Sequence, residues 1–223
     1  MRGGRPRRRN QEMLTMERFT DKVVLITGGG SGLGKAAALN EADRHALAGP
    51  RIYLDADVEL ACDAVERVAA TLADDAVGLC APAIRIAPAR SWLSHAYGTV
   101  WEKLPVVRGD VVGCGFYAVS AAGRARWGTF PDIISDDKFV RLRFAPGERR
   151  VIADTSFTIQ LPEGARELLL VRGRWCRGNR ELAARFPELV PNDRRHRAAT
   201  LRLFCDPRLW TAIPVFLLVF LLG

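Results

Sequence analysis

The stretch Arg51-Ile-Tyr-Leu-Asp-Ala-Asp57 frames the whole chain: a short apolar run that ends in two carboxylates one residue apart. Ile52, Tyr53 and Leu54 predict a strand buried in an α/β sheet, and residues just past the carboxyl end of such a strand project into the crevice where these sheets bind ligands. Asp55 and Asp57 are therefore expected to meet at a cleft. Oxygen ligands so placed suit a hard divalent ion, Mg2+ or Mn2+, which keeps several waters and completes its shell from substrate phosphates. On these residues alone the simpler role is the stronger one, with Asp57 capping a helix that begins near Val58 and Glu59. What raises the metal reading is the rest of the chain.

At 223 residues, with 48% hydrophobic and 26% charged residues, the sequence can build one substantial core. The formal charge of +8 suggests an anionic partner until Arg2, Arg5, Arg7, Arg8 and Arg9 are seen to supply five of it, leaving +3 for the remainder. An arm over 1–18 rich in Arg, Gly and Pro cannot bury apolar surface and is expected to be disordered, and nucleic acid is not the partner it points to. Cys62, Cys80, Cys114, Cys176 and Cys205 are odd in number and widely spaced, which argues against a zinc site or a disulfide scaffold. His45, His95 and His196 are scattered, and none is expected to be a catalyst.

Lys22-Val-Val-Leu-Ile-Thr27 predicts a strand, followed by the turn Gly28-Gly-Gly-Ser-Gly-Leu-Gly34, an alanine-rich helix from Lys35 to Ala48, and the strand at 51–55. Strand, glycine turn, helix and strand make a βαβ unit, and such a turn lets backbone N–H groups at a helix start approach a phosphate. Thr27-Gly28-x-x-x-Gly32-x-Gly34 resembles the opening of the short-chain dehydrogenase/reductase family, which implies NAD(P) binding at Thr27, Gly28, Gly32 and Gly34. The resemblance ends near residue 38. That family works through a Tyr with a Lys four residues later. Here Tyr53 is followed at that spacing by Asp57, Tyr97 by Trp101 and Tyr117 by Ala121, so a complete dehydrogenase is excluded.

From Lys35 to about residue 190 a second resemblance takes over. Gly34-Lys35-Ala-Ala-Ala-Leu39-Asn40, then Leu54-Asp55-Ala56-Asp57, is similar to the family 2 glycosyltransferases with a GT-A fold. The resemblance implies a metal at Asp55 and Asp57, and diphosphate contacts from Lys35, Asn40 and Asp55. Farther on, Ile133-Ile-Ser-Asp136-Asp137 ends an apolar segment in paired acids at a predicted helix start, where the dipole also favours them. The family's paired-acid motif makes Asp137 the general base, with Asp136 beside it. Gly113 and Gly115, in a predicted strand over 109–120, correspond to the family's strand lining the donor sugar. A β-bulge at a sheet edge explains those glycines equally well. Arg174-Trp175 sits where processive members carry Gln-x-x-Arg-Trp, although the Gln position is Val171. An Arg there would neutralise the leaving diphosphate and a Trp would stack on sugar. A solvated Arg with a packed Trp competes with this.

The remaining segments predict scaffold. Val58 to Leu72 has helical spacing, Val77 to Ala87 alternates as one or two strands, and Trp92 to Trp101 is an aromatic helical stripe ended by Pro105, more often core than a sugar-stacking or membrane-facing surface. Leu209 to Leu222 is uncharged and apolar but shorter than the roughly 20 residues of a spanning helix. It reads as a truncated membrane segment or a buried C-terminal helix, which puts the protein at the cytoplasmic face of a membrane or in the cytoplasm.

The expected whole is one α/β domain over 19–200, with a GT-A-like, mixed and mostly parallel sheet, flanked by the basic arm and an apolar segment at 207–223. Three motifs in order over about 120 residues point to a metal-dependent, inverting transfer from a nucleotide-sugar donor to a glycan or lipid-linked acceptor. A dinucleotide-binding fragment and a non-catalytic fusion product are the alternatives. Family 2 enzymes hold base and ribose on strands for which nothing precedes Lys35 here, so weak, poorly base-selective donor binding is expected.

Overall fold

The computed structural model describes residues 23–27, 34–46, 49–193 and 197–223. Among these, β1 (Val23–Thr27), β2 (Arg51–Asp55), β3 (Glu59–Leu60), β4 (Leu79–Ile86), β5 (Phe116–Val119) and β6 (Arg149–Ile159) form one sheet in the order β1-β2-β5-β4-β6-β3. β1 pairs parallel with β2, and β4 with β6. The β2–β5, β4–β5 and β3–β6 ladders are antiparallel, so β1, β2, β4 and β6 all point one way. This is the mixed, largely parallel α/β sheet expected from the sequence, and helices flank it.

β5 lies at the centre of the sheet, and all four of its residues are buried, as an uninterrupted apolar run requires when both faces are covered. Phe116 meets Phe157 of β6, and Tyr53 of β2 stacks on Tyr117 with ring centroids 4.8 Å apart. Helix α1 (Lys35–His45) connects the parallel pair β1 and β2 and buries Ala36 and Leu39. Its far end is fastened by Asp43, which accepts hydrogen bonds from Arg51, Tyr53 and Arg124. Burial, with the Asp43 charge, pushes the Tyr53 phenol far above its ordinary range, so it remains a neutral donor here.

Two expectations are corrected. No helix begins at Val58: Glu59 and Leu60 instead pair with Thr158 and Phe157 of β6, and helix α2 runs only over Ala64–Thr71. The open edge of β6 takes up backbone groups that a helix would have satisfied internally. Asp57 therefore caps nothing and sits in the turn closed by the Val58 N–H donating to the Asp55 carbonyl at 3.3 Å. The strand predicted over 109–120 shrinks to β5, because Pro105–Gly109 forms a short helix and Gly113 and Gly115 adopt positive φ. Since β5 is central, its glycines do not mark a sheet edge.

The C-terminal segment, expected as a truncated membrane segment or a buried helix, forms a short helix. Pro207–Leu209 makes a 3-10 turn, and helix α9, as numbered along the chain, covers Ile213–Leu222. It buries Phe216 and Val219, with Phe216 stacked on Tyr97 of helix α3 (Trp92–Trp101) at 5.4 Å. Among the described residues no helix is long and apolar enough to cross a membrane. Leu218, Phe220, Leu221 and Leu222 stay exposed, and the Phe220 ring stacks on Phe216. The five cysteines are free thiols. The arm over 1–18, like His196, lies outside the described residues.

Candidate active site

Parallel strands deliver their carboxyl ends to one edge, and the chain's polar motifs collect there. Asp55 closes β2, Gln160 follows β6, and β5, running the other way, brings Gly113 and Gly115 to the same edge from its amino end. Gly115 is tied to β2 by its carbonyl, which accepts from the Asp55 N–H at 2.9 Å. Lys35 is the first residue of α1, while Asp136 and Asp137 open helix α6 (Asp136–Leu142). Arg174 and Trp175 come from the middle of the long helix α7 (Ala165–Arg185). Together with Asp57 these side chains line one cleft of about 230 Å³.

Close packing sets the cleft's shape. Gly113 has φ +77° and Gly115 φ +87°, and a Cβ at Gly115 would come within 2.6 Å of Val58. Gly178 lets α7 press against the loop before α6, where a Cβ would lie 2.9 Å from the Ile134 side chain. One turn earlier on α7, Trp175 stacks on Trp101 with centroids 6.3 Å apart, so its ring is held as a wall. A second cavity of about 180 Å³ meets the cleft at Cys114, Ser135, Asp137 and Trp175.

Electrostatically the cleft is a cluster of carboxylates around one ammonium. Lys35 Nζ lies 3.4 Å from Asp55 Oδ1 and 3.3 Å from Asp136 Oδ2. Burial works against the Lys35 charge, but Asp136, Asp55 and Asp137 outweigh it and raise its pKa, so the ammonium is firmly charged. Asp136 is only 5% exposed. Burial, then the adjacent Asp137 charge, pushes its pKa up to about 6, with Lys35 opposing. Asp137 is also raised, chiefly by burial, while Lys35 and the Lys138 N–H that donates to its Oδ1 at 2.7 Å pull the other way. A carboxyl pair poised in this way can accept a proton near neutral pH. Burial pushes the Cys114 thiol up to about 12, so it is no nucleophile.

Helix α6 is held from behind. Lys138 and Arg141 both pair with Asp193, at 2.8 and 2.7 Å, and Asp110 joins Arg141 to Arg149. This buried ion cluster fixes the helix that carries Asp136 and Asp137.

Asn40 lies elsewhere. Its amide donates to the Phe130 carbonyl at 3.0 Å and accepts the Phe130 N–H at 2.6 Å, which clamps α1 to the 127–130 loop and leaves it outside the cleft lining. Gln160, Cys114 and Ser135 line the cleft without having been singled out by sequence reasoning. For Gln160 a signal existed: it follows an extended run that must end at the ligand-binding edge. Of the alternative dinucleotide turn, Gly28 and Gly32 lie outside the described residues; Thr27 pairs with Asp55 across the parallel ladder, and Gly34 precedes α1.

Among the described residues no three His, Cys, Asp or Glu side chains converge as a ready metal cage. Asp55 and Asp57 both line the cleft and are the residues that could hold a cation of the kind that takes one or two carboxylates and draws its remaining ligands from phosphates and water.

No family model matches the chain, and no curated protein matches it. Among solved structures it is similar to residues 1–349 of TarS from S. aureus, in complex with UDP-GlcNAc, at 12% identity and a TM-score of 0.38. The match covers 74% of this chain and 54% of that one, so the chain spans about half the length of that structure.

Proposed function

We propose that the chain transfers a sugar from a nucleotide-sugar donor to an acceptor hydroxyl. The observation that carries this reading is the convergence of three distant sequence motifs, Asp55 with Asp57, Asp136 with Asp137, and Arg174 with Trp175, on one cleft. In the proposed reaction the acceptor O–H gives its proton to the Asp137 carboxylate as its oxygen bonds to the anomeric carbon. The bond from that carbon to the diphosphate breaks, and the nucleoside diphosphate leaves with the electron pair. A single displacement of this kind inverts the sugar.

Lys35 and Arg174 both line the cleft, and their charge would stabilise the departing diphosphate as negative charge accumulates. A divalent ion held by Asp55 and Asp57 would supply further charge neutralisation to the leaving group. Trp175, fixed by Trp101, offers a flat apolar surface to a sugar ring. The second cavity, which Asp137 also lines, would give the acceptor a separate approach. A lipid-linked acceptor suits the exposed Leu218, Phe220, Leu221 and Leu222 of α9, and vesicle flotation of the parent beside a Leu218→Ser, Leu221→Ser variant tests it. No recovery of the parent with vesicles would remove that acceptor class.

Calorimetric titration with several nucleotide-sugars and Mn2+, beside NADH, tests the donor. Weak, metal-assisted nucleotide-sugar binding is expected, while tight NADH binding would promote the dinucleotide reading that the parallel β1-α1-β2 unit keeps open. Asp137→Asn separates chemistry from binding: donor affinity should stay near the parent value with transfer lost. Equal loss of both would make Asp137 structural.

A further inference from the structure

We infer that Lys35 is the resident counter-ion of the cleft, and that a divalent ion reaches Asp55 only when a diphosphate draws the ammonium away. The inference rests on the proposed nucleotide-sugar reading and goes beyond it. Resemblance alone would make Lys35 a phosphate ligand and Asp55 a metal ligand, two roles that can be filled independently. The structure links them, because Lys35 Nζ sits 3.4 Å from Asp55 Oδ1 with the same ammonium 3.3 Å from Asp136 Oδ2.

A cation ligated by Asp55 would approach its oxygen to about 2.1 Å, well inside the sphere that Lys35 already holds. Two positive centres on one carboxylate repel strongly in a site where solvent screening is reduced. Lys35 cannot retreat with its helix. Asp43 binds α1 to Arg51, Tyr53 and Arg124, and Asn40 clamps it to Phe130. Only the side chain can swing, and Asp136, 7% exposed at its side chain, keeps hold of it from the other side. An incoming diphosphate provides new anionic oxygens for the ammonium and new ligands for the metal in one event. Cation and nucleotide should therefore bind with strong positive coupling, and Lys35 is the positioning residue that produces it.

Mn2+ binding to the full chain, read by the electron paramagnetic resonance of free Mn2+, tests this with and without UDP or ADP. In the absence of nucleotide, Lys35→Met should bind Mn2+ roughly tenfold tighter than the parent, and Lys35→Arg should behave as the parent. The parent should gain more Mn2+ affinity from nucleotide than Lys35→Met does. Because Lys35→Met strands the buried Asp136 charge, the double variant Lys35→Met, Asp136→Asn repeats the measurement without that liability, and the same gain is expected. Equal Mn2+ affinity of parent and both Met variants, with nucleotide tightening all alike, would overturn the inference and leave the nucleotide-sugar reading standing. No Mn2+ binding in any variant, with or without nucleotide, would overturn both.

Discussion

The backbone at Gly113 is pressed against the side chain of Asp137: a Cβ at that position would stand 2.8 Å from the Asp137 Cβ and 3.3 Å from its Oδ2. Because φ is also +77°, Gly113→Ala combines a disfavoured backbone with a collision that movement of α6 or of the 113 loop must relieve. A loss of about 1–3 kcal/mol in unfolding free energy is expected. Transfer should fall further than stability accounts for, since displacement of a base by about 1 Å can cost a hundredfold in rate. Gly109→Ala, where nothing lies within 4 Å of the added methyl, is the control and should unfold near the parent midpoint. Matching losses in the two variants would mean that the close approach at Gly113 does not matter.

Asp136 gives the pH dependence its sign. Its carboxyl is raised to about 6 in the folded chain from an ordinary value of 3.8, so the folded state binds the proton more tightly than the unfolded chain does. Stability should therefore fall as pH rises from about 4 to about 6 and level off above, and the missing stability above pH 6 is on the order of 1–3 kcal/mol. Asp136→Asn should recover part of it at pH 8 and little at pH 4, as thermal melts at the two values would show. Transfer should rise across the same interval as the Asp136–Asp137 pair ionises, and Lys35→Met should move that rise to higher pH by removing the ammonium that favours the charged form.

Asn40 separates fold from chemistry. Its two hydrogen bonds to Phe130 span 90 residues of sequence, and Asn40→Ala would leave both backbone groups of Phe130 without them. A destabilisation of about 1–3 kcal/mol is expected with nucleotide-sugar affinity retained. A variant that keeps its melting temperature but loses affinity would return Asn40 to the binding site.

The Asp110 cluster should be the costlier loss. Asp110 accepts from Arg149 at 2.7 Å and from Arg141 at 3.3 Å, and the Arg149 side chain is 1% exposed. Asp110→Ala leaves Arg149 charged and buried with only the carbonyls of Phe144 and Asn192, at an expected cost of about 3–5 kcal/mol. The exposed Arg67–Asp154 pair is the contrast, and Asp154→Ala should change stability by less than about 1 kcal/mol. Urea denaturation of both variants checks the ratio.

Sequence by itself determined the elements whose signal is local. The apolar run at 51–55, the alanine-rich helix from Lys35 and the acids opening α6 all carry their signal in neighbouring residues, whereas the long helix that carries Arg174 was not read from the sequence. It also determined the edge at which Asp55 emerges, because a buried parallel strand has one ligand-facing end. Tertiary structure alone decided what depended on partners far along the chain. Glu59 and Leu60 became a strand because β6 offered an open edge, and no periodicity at 58–72 could report that. Asn40 shares a helix with Lys35 but faces Phe130 instead of the cleft, and the apolar C-terminal segment lies along Tyr97 instead of standing alone. The sharing of one ammonium by Asp55 and Asp136, which are 81 residues apart in sequence, belongs to the same class. Charges couple through space, and only packing sets the distance between them.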